Sequence, residues 1–189
     1  MKQNNEKIAI TGTIASGKSS VLDYLKERGE ITISCDEINR ELLHDPSYLL
    51  GLKALFPEVF LNGVFNKALL KEIIFNFDSK RQALNLYSHS KIKERIKNIL
   101  TANNDDRVFV EVPLLNQSDF INMFDCVWIV ESNRMEQIRR IMTRDGISAE
   151  YAEKILKTQS DRFSFPIKTV KIENNGDLDL LRKQISVLL

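Results

Sequence analysis

Residues Gly12 to Ser20 read GTIASGKSS and follow directly on the apolar run KIAIT. No other stretch limits the fold as strongly. The pattern is G-x-x-x-x-G-K-[S/T], a phosphate-binding loop. Glycines at 12 and 17 permit backbone conformations that a Cβ would block, so successive N–H groups can turn inward on phosphate oxygens. All of Gly12, Thr13, Ile14, Ala15, Ser16, Gly17, Lys18, Ser19 and Ser20 is therefore expected to hold a nucleotide. Lys18 is expected to reach the β- and γ-phosphates as a point charge, and the Ser19 hydroxyl to ligate Mg²⁺. The flanks agree with this. Ile8, Ala9 and Ile10 read as a buried strand, and Val21, Leu22 and Leu25 as one face of a helix. A helix starting near Lys18 would aim its positive dipole end at the phosphates.

The rest of the chain extends this start into an α/β class. Strands are expected at 7–11, 31–34, 107–112, 125–130 and 169–172. Runs such as VFVEV and CVWIV suit strands buried on both faces of a parallel sheet. Helical stretches lie between them. Residues 37–105 hold no convincing strand but several helical patterns, including ALLKEIIFNF and HSKIKERIKNIL, and read as a helical insertion. Near the end, Asp177 is placed to cap a helix whose Leu178, Leu181, Ile185 and Leu188 share a face. At 189 residues with 43% hydrophobic content, one domain with an inserted lobe is expected. With 27 basic against 26 acidic residues, no general attraction to nucleic acid or membrane follows. The polar start MKQNNEK lacks the apolar stretch of a signal peptide, and no run approaches ~20 apolar residues. Cys35 and Cys126 match no disulfide framework and no metal-binding spacing. The expected location is cytoplasmic.

Among phosphate-loop proteins, a GTPase switch needs D-x-x-G and N-K-x-D segments. Neither occurs, and NKAL at Asn66 to Leu69 lacks the aspartate. A kinase is favoured. It needs an acceptor site, a base, and arginines for the charge on the transferred group. Asp36 follows the strand ITIS, where ligands of open α/β sheets bind. It reads equally as the cap of a helix beginning at Glu37. Gln137, Arg140 and Arg144 share one helix face, with Met135, Ile138, Ile141 and Met142 largely opposite. The basic face reads either as a lid that brings guanidinium groups to phosphates or as a solvated surface. Glu111 is a carboxylate in an apolar strand, which suits a water-mediated Mg²⁺ contact. His89 is a lone histidine on a helical segment, a position more often on the surface than in a site.

Taken together these residues resemble the dephospho-CoA kinase family. The resemblance runs through ITGTIASGKSSVLDYL, ISCDEINREL, LYSHSKIKERI, VFVEVPLL, QIRRIMTRDGISAEYAEKILKTQ and IENNGDLDLLRKQI, which is nearly the whole chain. It implies a P-loop kinase core with a five-stranded parallel sheet, an inserted helical acceptor-binding lobe and a helical lid. The core would comprise 1–36 and 106–189, the CoA-binding lobe 37–105, and the lid 134–165 within the core. It implies transfer of the ATP γ-phosphoryl group to the ribose 3′-hydroxyl of dephospho-CoA, with ATP and Mg²⁺ as cofactors. By the same resemblance Asp36 activates the acceptor and Lys18, Arg140 and Arg144 serve catalysis. Asn175 and Gly176 lie near the adenine, His89, Pro113 and Leu114 contact the acceptor with Asp36, and Ser19 and Glu111 serve the metal. No nucleic-acid or membrane partner is implied, and oligomeric state is left open. Several positions depart from the family pattern, among them the stretch FPIKTVKI, where Ala-Asp is usual before the last strand, and Asn66-Lys67, near which an arginine is usual. Ser34 stands where a carboxylate is usual, Ser90 where a proline is, and Gln117 where a glutamate is. Another small P-loop kinase acting on a nucleoside or small metabolite, or a catalytically impaired nucleotide-binding homologue, is the alternative.

Overall fold

The structure is a computed structural model and describes residues 5–113, 115, 119–158 and 163–189. Its strands are β1 (Lys7–Thr11), β2 (Ile31–Ser34), β3 (Phe60–Leu61), β4 (Val64–Phe65), β5 (Val108–Glu111), β6 (Cys126–Glu131) and β7 (Lys168–Glu173). Five of them form a parallel sheet in the order β2-β5-β1-β6-β7. These are the five strands expected from the apolar runs, shifted by a residue at some ends. The chain leaves β1 toward β2 and leaves β6 toward β7, on opposite sides. The carboxyl ends of these two neighbours therefore flank the point where the winding reverses, the usual ligand position in such sheets.

The helices are α1 (Lys18–Glu27), α2 (Cys35–Leu42), α3 (Pro46–Leu55), α4 (Lys67–Asn76), α5 (Asp78–Ala102), α6 (Arg134–Asp145), α7 (Ala149–Lys157) and α8 (Leu178–Leu188). Alternation along the strands selects what packs beneath α1 and α8. Ile8, Ile10, Phe109, Trp128, Val130 and Ile172 form one buried cluster with Val21, Leu22 and Leu25 of α1 and Leu181 and Ile185 of α8. Burying such side chains stabilises the fold by roughly 1.5–3 kcal/mol each. Asp177 does cap α8, accepting from the N–H groups of Asp179 and Leu180. The expected apolar face is narrower than its spacing suggested, because only Leu181 and Ile185 are buried while Leu178 is exposed. A second, smaller cluster joins Ile141 of α6 with Ala152 and Leu156 of α7, and Ile14 and Ala15 of the loop after β1 pack against it.

Compactness divides the chain into one unit of Met1–Ser34 with Asn103–Leu189 and another of Cys35–Ala102. Asp36, grouped with the core in the sequence reading, belongs to the second unit. That unit contains α2 to α5 around Tyr48, Leu52, Phe56, Val59 and Leu70. It also contains an antiparallel pair that the sequence reading did not expect, β3 with β4. Asn62 and Gly63 turn between them with φ of 51° and 81°. Two positive φ values in a two-residue Asn-Gly loop are the hairpin turn whose twist matches its strands. Among the described residues no helix is long and apolar enough to cross a membrane.

Candidate active site

The loop between β1 and α1 is built from constraints on glycine. A Cβ on Gly12 would lie 2.3 Å from the Val130 carbonyl oxygen and 2.7 Å from Ser16 Oγ. Gly17 has φ of 95°, and a Cβ there would lie 1.8 Å from Asn174 Nδ2. Backbone therefore approaches β6 and the end of β7 more closely than any side chain permits. Between the glycines, Ala15 adopts φ of 57°, a left-handed value that is costly for a residue with a Cβ. Alternating backbone handedness of this kind suits an anion, and the Ser16 N–H closes the turn by donating to the Thr13 carbonyl at 3.2 Å. Helix α1 begins at Lys18, as expected, with Gly17 as its N-cap and no side-chain cap bond. Lys18 Nζ folds back to donate to the carbonyls of Gly12 at 2.9 Å and Thr13 at 3.1 Å. Ser19 is exposed in the first turn of α1, and Ser16 is buried with its hydroxyl unpartnered.

The carbonyl side of the loop is held by three side chains. Gln137 of α6 is buried, and its Nε2 donates to Thr13 Oγ1 at 2.6 Å and to the Ile14 carbonyl at 3.0 Å. Asn174, 1% exposed just past β7, donates from Nδ2 to the Ser16 carbonyl at 3.0 Å. Arg140 Nη1 donates to the carbonyls of Ala15 and Ser16, both at 3.1 Å. Its Nη2 donates to the main-chain oxygen and Oδ1 of Asn174 at 3.0 and 3.1 Å, and its Nε to Glu136 Oε1 at 3.0 Å. A guanidinium has five N–H groups, and each of these has an acceptor here. The sequence reading had Arg140 closing on phosphates. In this structure its donors are engaged by loop carbonyls, Glu136 and Asn174. Arg144 differs. It is more than half exposed and makes a bidentate pair with Asp145, Nε and Nη2 each at 2.8 Å, which lifts its pKa above the ordinary arginine value. The apolar side of α6 also differs from expectation, for Ile141 is buried while Met135 and Met142 are exposed.

Glu136 completes this corner. Hydrogen bonds from Arg139 and the charge of Arg140 overcome burial and hold its carboxyl down at about 2. Asn133 caps α6 by accepting from the Glu136 N–H, and its own main-chain N–H donates to Asn175 Oδ1 at 2.8 Å. Gly176 follows with φ of 104°. Asn175 and Gly176 thus sit on the loop that also carries Asn174. Sequence reasoning named the first two and missed Asn174, because nothing in ENNG marks which asparagine is buried.

The remaining candidates are more scattered. Glu111 ends β5, level with Ile10 of β1 and Ser34 of β2, and accepts from Ser34 Oγ at 3.0 Å. Ser34, which stands where the family pattern has a carboxylate, is buried and donates to one. Pro113 is half-buried beyond Val112, whose N–H bonds to the Ile10 carbonyl. Leu114 and Gln117 lie outside the described residues, as do 159–162 of the expected lid. Asp36 is exposed in the first turn of α2. Because α2 begins at Cys35, Asp36 is not the cap of a helix starting at Glu37. His89 is exposed on α5. Among the described residues, no group of three or more His, Cys, Asp or Glu side chains could hold a metal ion. A cation here would rely on the hydroxyl of Ser19, on Glu111 and on phosphate oxygens. Hard oxygen donors of this sort suit Mg²⁺.

Comparison with known proteins gives a consistent result. A family model described as dephospho-CoA kinase matches residues 7–179. The chain is 35% identical to the dephospho-CoA kinase of Fusobacterium nucleatum over 181 residues, covering 94% of each protein. It is 33% identical to that of Moorella thermoacetica over 186 residues, covering 94% of this chain and 88% of the relative. Among solved structures, TT1252 from Thermus thermophilus superposes with a TM-score of 0.76 at 27% identity, covering 97% of this chain and 96% of the other.

Proposed function

The chain belongs to the dephospho-CoA kinase family, and we propose on that basis that it transfers the γ-phosphoryl group of ATP to the ribose 3′-hydroxyl of dephospho-CoA, giving CoA and ADP. The observation that carries this reading is the braced glycine loop at the carboxyl end of β1 within a family match spanning residues 7–179. A transferring phosphoryl group has little covalent chemistry for a protein to perform, so catalysis is positioning and charge stabilisation.

Each residue then has a role. The N–H groups of residues 12 to 20 bind the phosphates. Lys18, which now donates to the carbonyls of Gly12 and Thr13, exchanges those acceptors for β- and γ-oxygens. Asp36 orients the 3′-hydroxyl and accepts its proton as the oxygen attacks. Arg144 offers a planar donor pair, now held by Asp145, to the transferred group. Ser19 and Glu111 serve Mg²⁺, which when bound neutralises charge on the phosphates. Asn175 and Gly176 line the adenine side. His89, in the helical lobe of 37–105, serves the acceptor together with Pro113 and Leu114 of the other unit. A cytoplasmic location belongs to the same proposal.

The test is ADP release in a coupled assay, with dephospho-CoA, free nucleosides and shikimate as separate acceptors. Turnover confined to dephospho-CoA supports the reading. Faster turnover on a nucleoside would replace it with another small-molecule kinase.

A further inference from the structure

The braces of the phosphate loop come from two places far apart in sequence, and both act on carbonyl oxygens. Gln137 holds Ile14, Asn174 holds Ser16, and Arg140 holds Ala15 and Ser16. The residue they surround, Ala15, is the non-glycine residue of the loop in the left-handed region. A strained backbone of this sort persists only where its surroundings over-determine it. The Ser16 N–H donates within the loop to the Thr13 carbonyl at 3.2 Å, while the N–H groups of Ala15 and Gly17 lie across their planar peptides from the held carbonyls of Ile14 and Ser16.

We infer that Asn174 and Gln137 are positioning residues for phosphoryl transfer: by fixing the carbonyls of Ser16 and Ile14 they keep the loop amides convergent on the nucleotide's phosphates before it binds. Neither touches the reacting atoms. Asn174 also ties the loop to the segment carrying Asn175 and Gly176, since its main-chain N–H bonds to the Glu131 carbonyl while its amide grips Ser16. Phosphate loop and adenine-side loop are thereby set by one buried residue. The inference rests on reading residues 12–20 as the ATP site.

The bonds can be removed singly. Asn174→Asp keeps the acceptors for Arg140 but replaces the donor to Ser16 with a carboxylate oxygen. Gln137→Met keeps length and burial and removes both donors, so Thr13 Oγ1 and the Ile14 carbonyl lose their partner. The probe is ADP, titrated calorimetrically, alongside steady-state kinetics and melting curves. We expect ADP affinity and kcat/KM for ATP to fall together by about 10- to 100-fold, with KM for dephospho-CoA within about two-fold. Melting of Gln137→Met should stay within a few degrees. ADP affinity and kcat/KM for ATP within about three-fold of the unmodified protein, whatever the melting temperature, would overturn the inference. A Gln137→Met chain that does not fold would overturn it for Gln137 by assigning that residue to stability, and Asn174→Asp would then decide the other brace. ADP binding needs no acceptor. An unmodified protein that binds ADP yet leaves dephospho-CoA unphosphorylated would therefore refute the proposed substrate while the brace is still measured.

Discussion

Asn174 Nδ2 lies 3.0 Å from the carbonyl oxygen of Ser16, a residue 158 positions earlier in the chain. That one bond joins the end of the last strand to the loop after the first. It also explains why position 17 is glycine, since a Cβ there would sit 1.8 Å from the same nitrogen.

Lys18→Ala should lower kcat by roughly 10²–10³-fold, the usual effect of losing one stabilising contact to the charge that develops in transfer. The lost bonds inside the loop go to main-chain oxygens that are only part-buried. The melting temperature should move by no more than about 4 °C. Steady-state kinetics and a melting curve measure both, and near-normal turnover in the folded variant would remove the loop from catalysis.

Asp36→Asn separates chemistry from structure. Asp36 is exposed in the first turn of α2 and does not cap that helix, so the nearly isosteric amide should leave stability close to unchanged. It cannot accept the hydroxyl proton. A general base contributes about 10²–10⁴-fold, and kcat should fall within that range while ADP affinity holds. Unchanged kcat with dephospho-CoA would send the search for the base to Glu37 and Glu111.

The two arginines of α6 should respond differently to lysine. Arg140→Lys offers three donors from one point where the guanidinium spreads five over Ala15, Ser16, Asn174 and Glu136, so it should melt lower and bind ADP more weakly. Arg144→Lys should melt like the unmodified protein, because its partner Asp145 is a neighbour on the surface. Its kcat should nonetheless fall about ten-fold or more, since an ammonium does not reproduce a planar fork on phosphate. Unchanged kcat in Arg144→Lys would make that residue part of a solvated face.

Glu136 sets an acid limit on the loop's support. Its folded pKa is about 2, below the ordinary value of 4.5, so its contribution to stability is fully present above about pH 4.5 and is lost as pH falls toward 2. Thermal melts of Glu136→Gln and of the unmodified protein should therefore differ most at neutral pH. The gap should narrow steadily between pH 4.5 and pH 3. A gap constant over that interval would mean that Arg139 and Arg140 do not stabilise the charged form.

The sheet was legible because strands buried on both faces write themselves as apolar runs, as VFVEV and CVWIV do. The loop was legible because its chemistry admits only glycine at two places. The hairpin at 60–65 was missed although Asn62-Gly63 is a strong turn signal, because strands of two residues carry no periodicity. Gln137 was seen on the right helix face but its burial was not, since an amide looks polar until its partners are known. Arg140 was read by the charge it carries, whereas its position in the fold presents it with carbonyl oxygens. Asn174 had no signal at all, because its partner is a main-chain atom and leaves no mark in the sequence around Ser16.

The small cluster of Ile141, Ala152 and Leu156, against which Ile14 and Ala15 pack, makes the α6–α7 pair the mounting of the phosphate loop. Ala152 is fully buried in it. A bulky side chain there, or a small molecule wedged between the two helices, would push the braces rather than the loop, and the damage would register as lost nucleotide affinity. Inhibition reached from that side would need no resemblance to ATP.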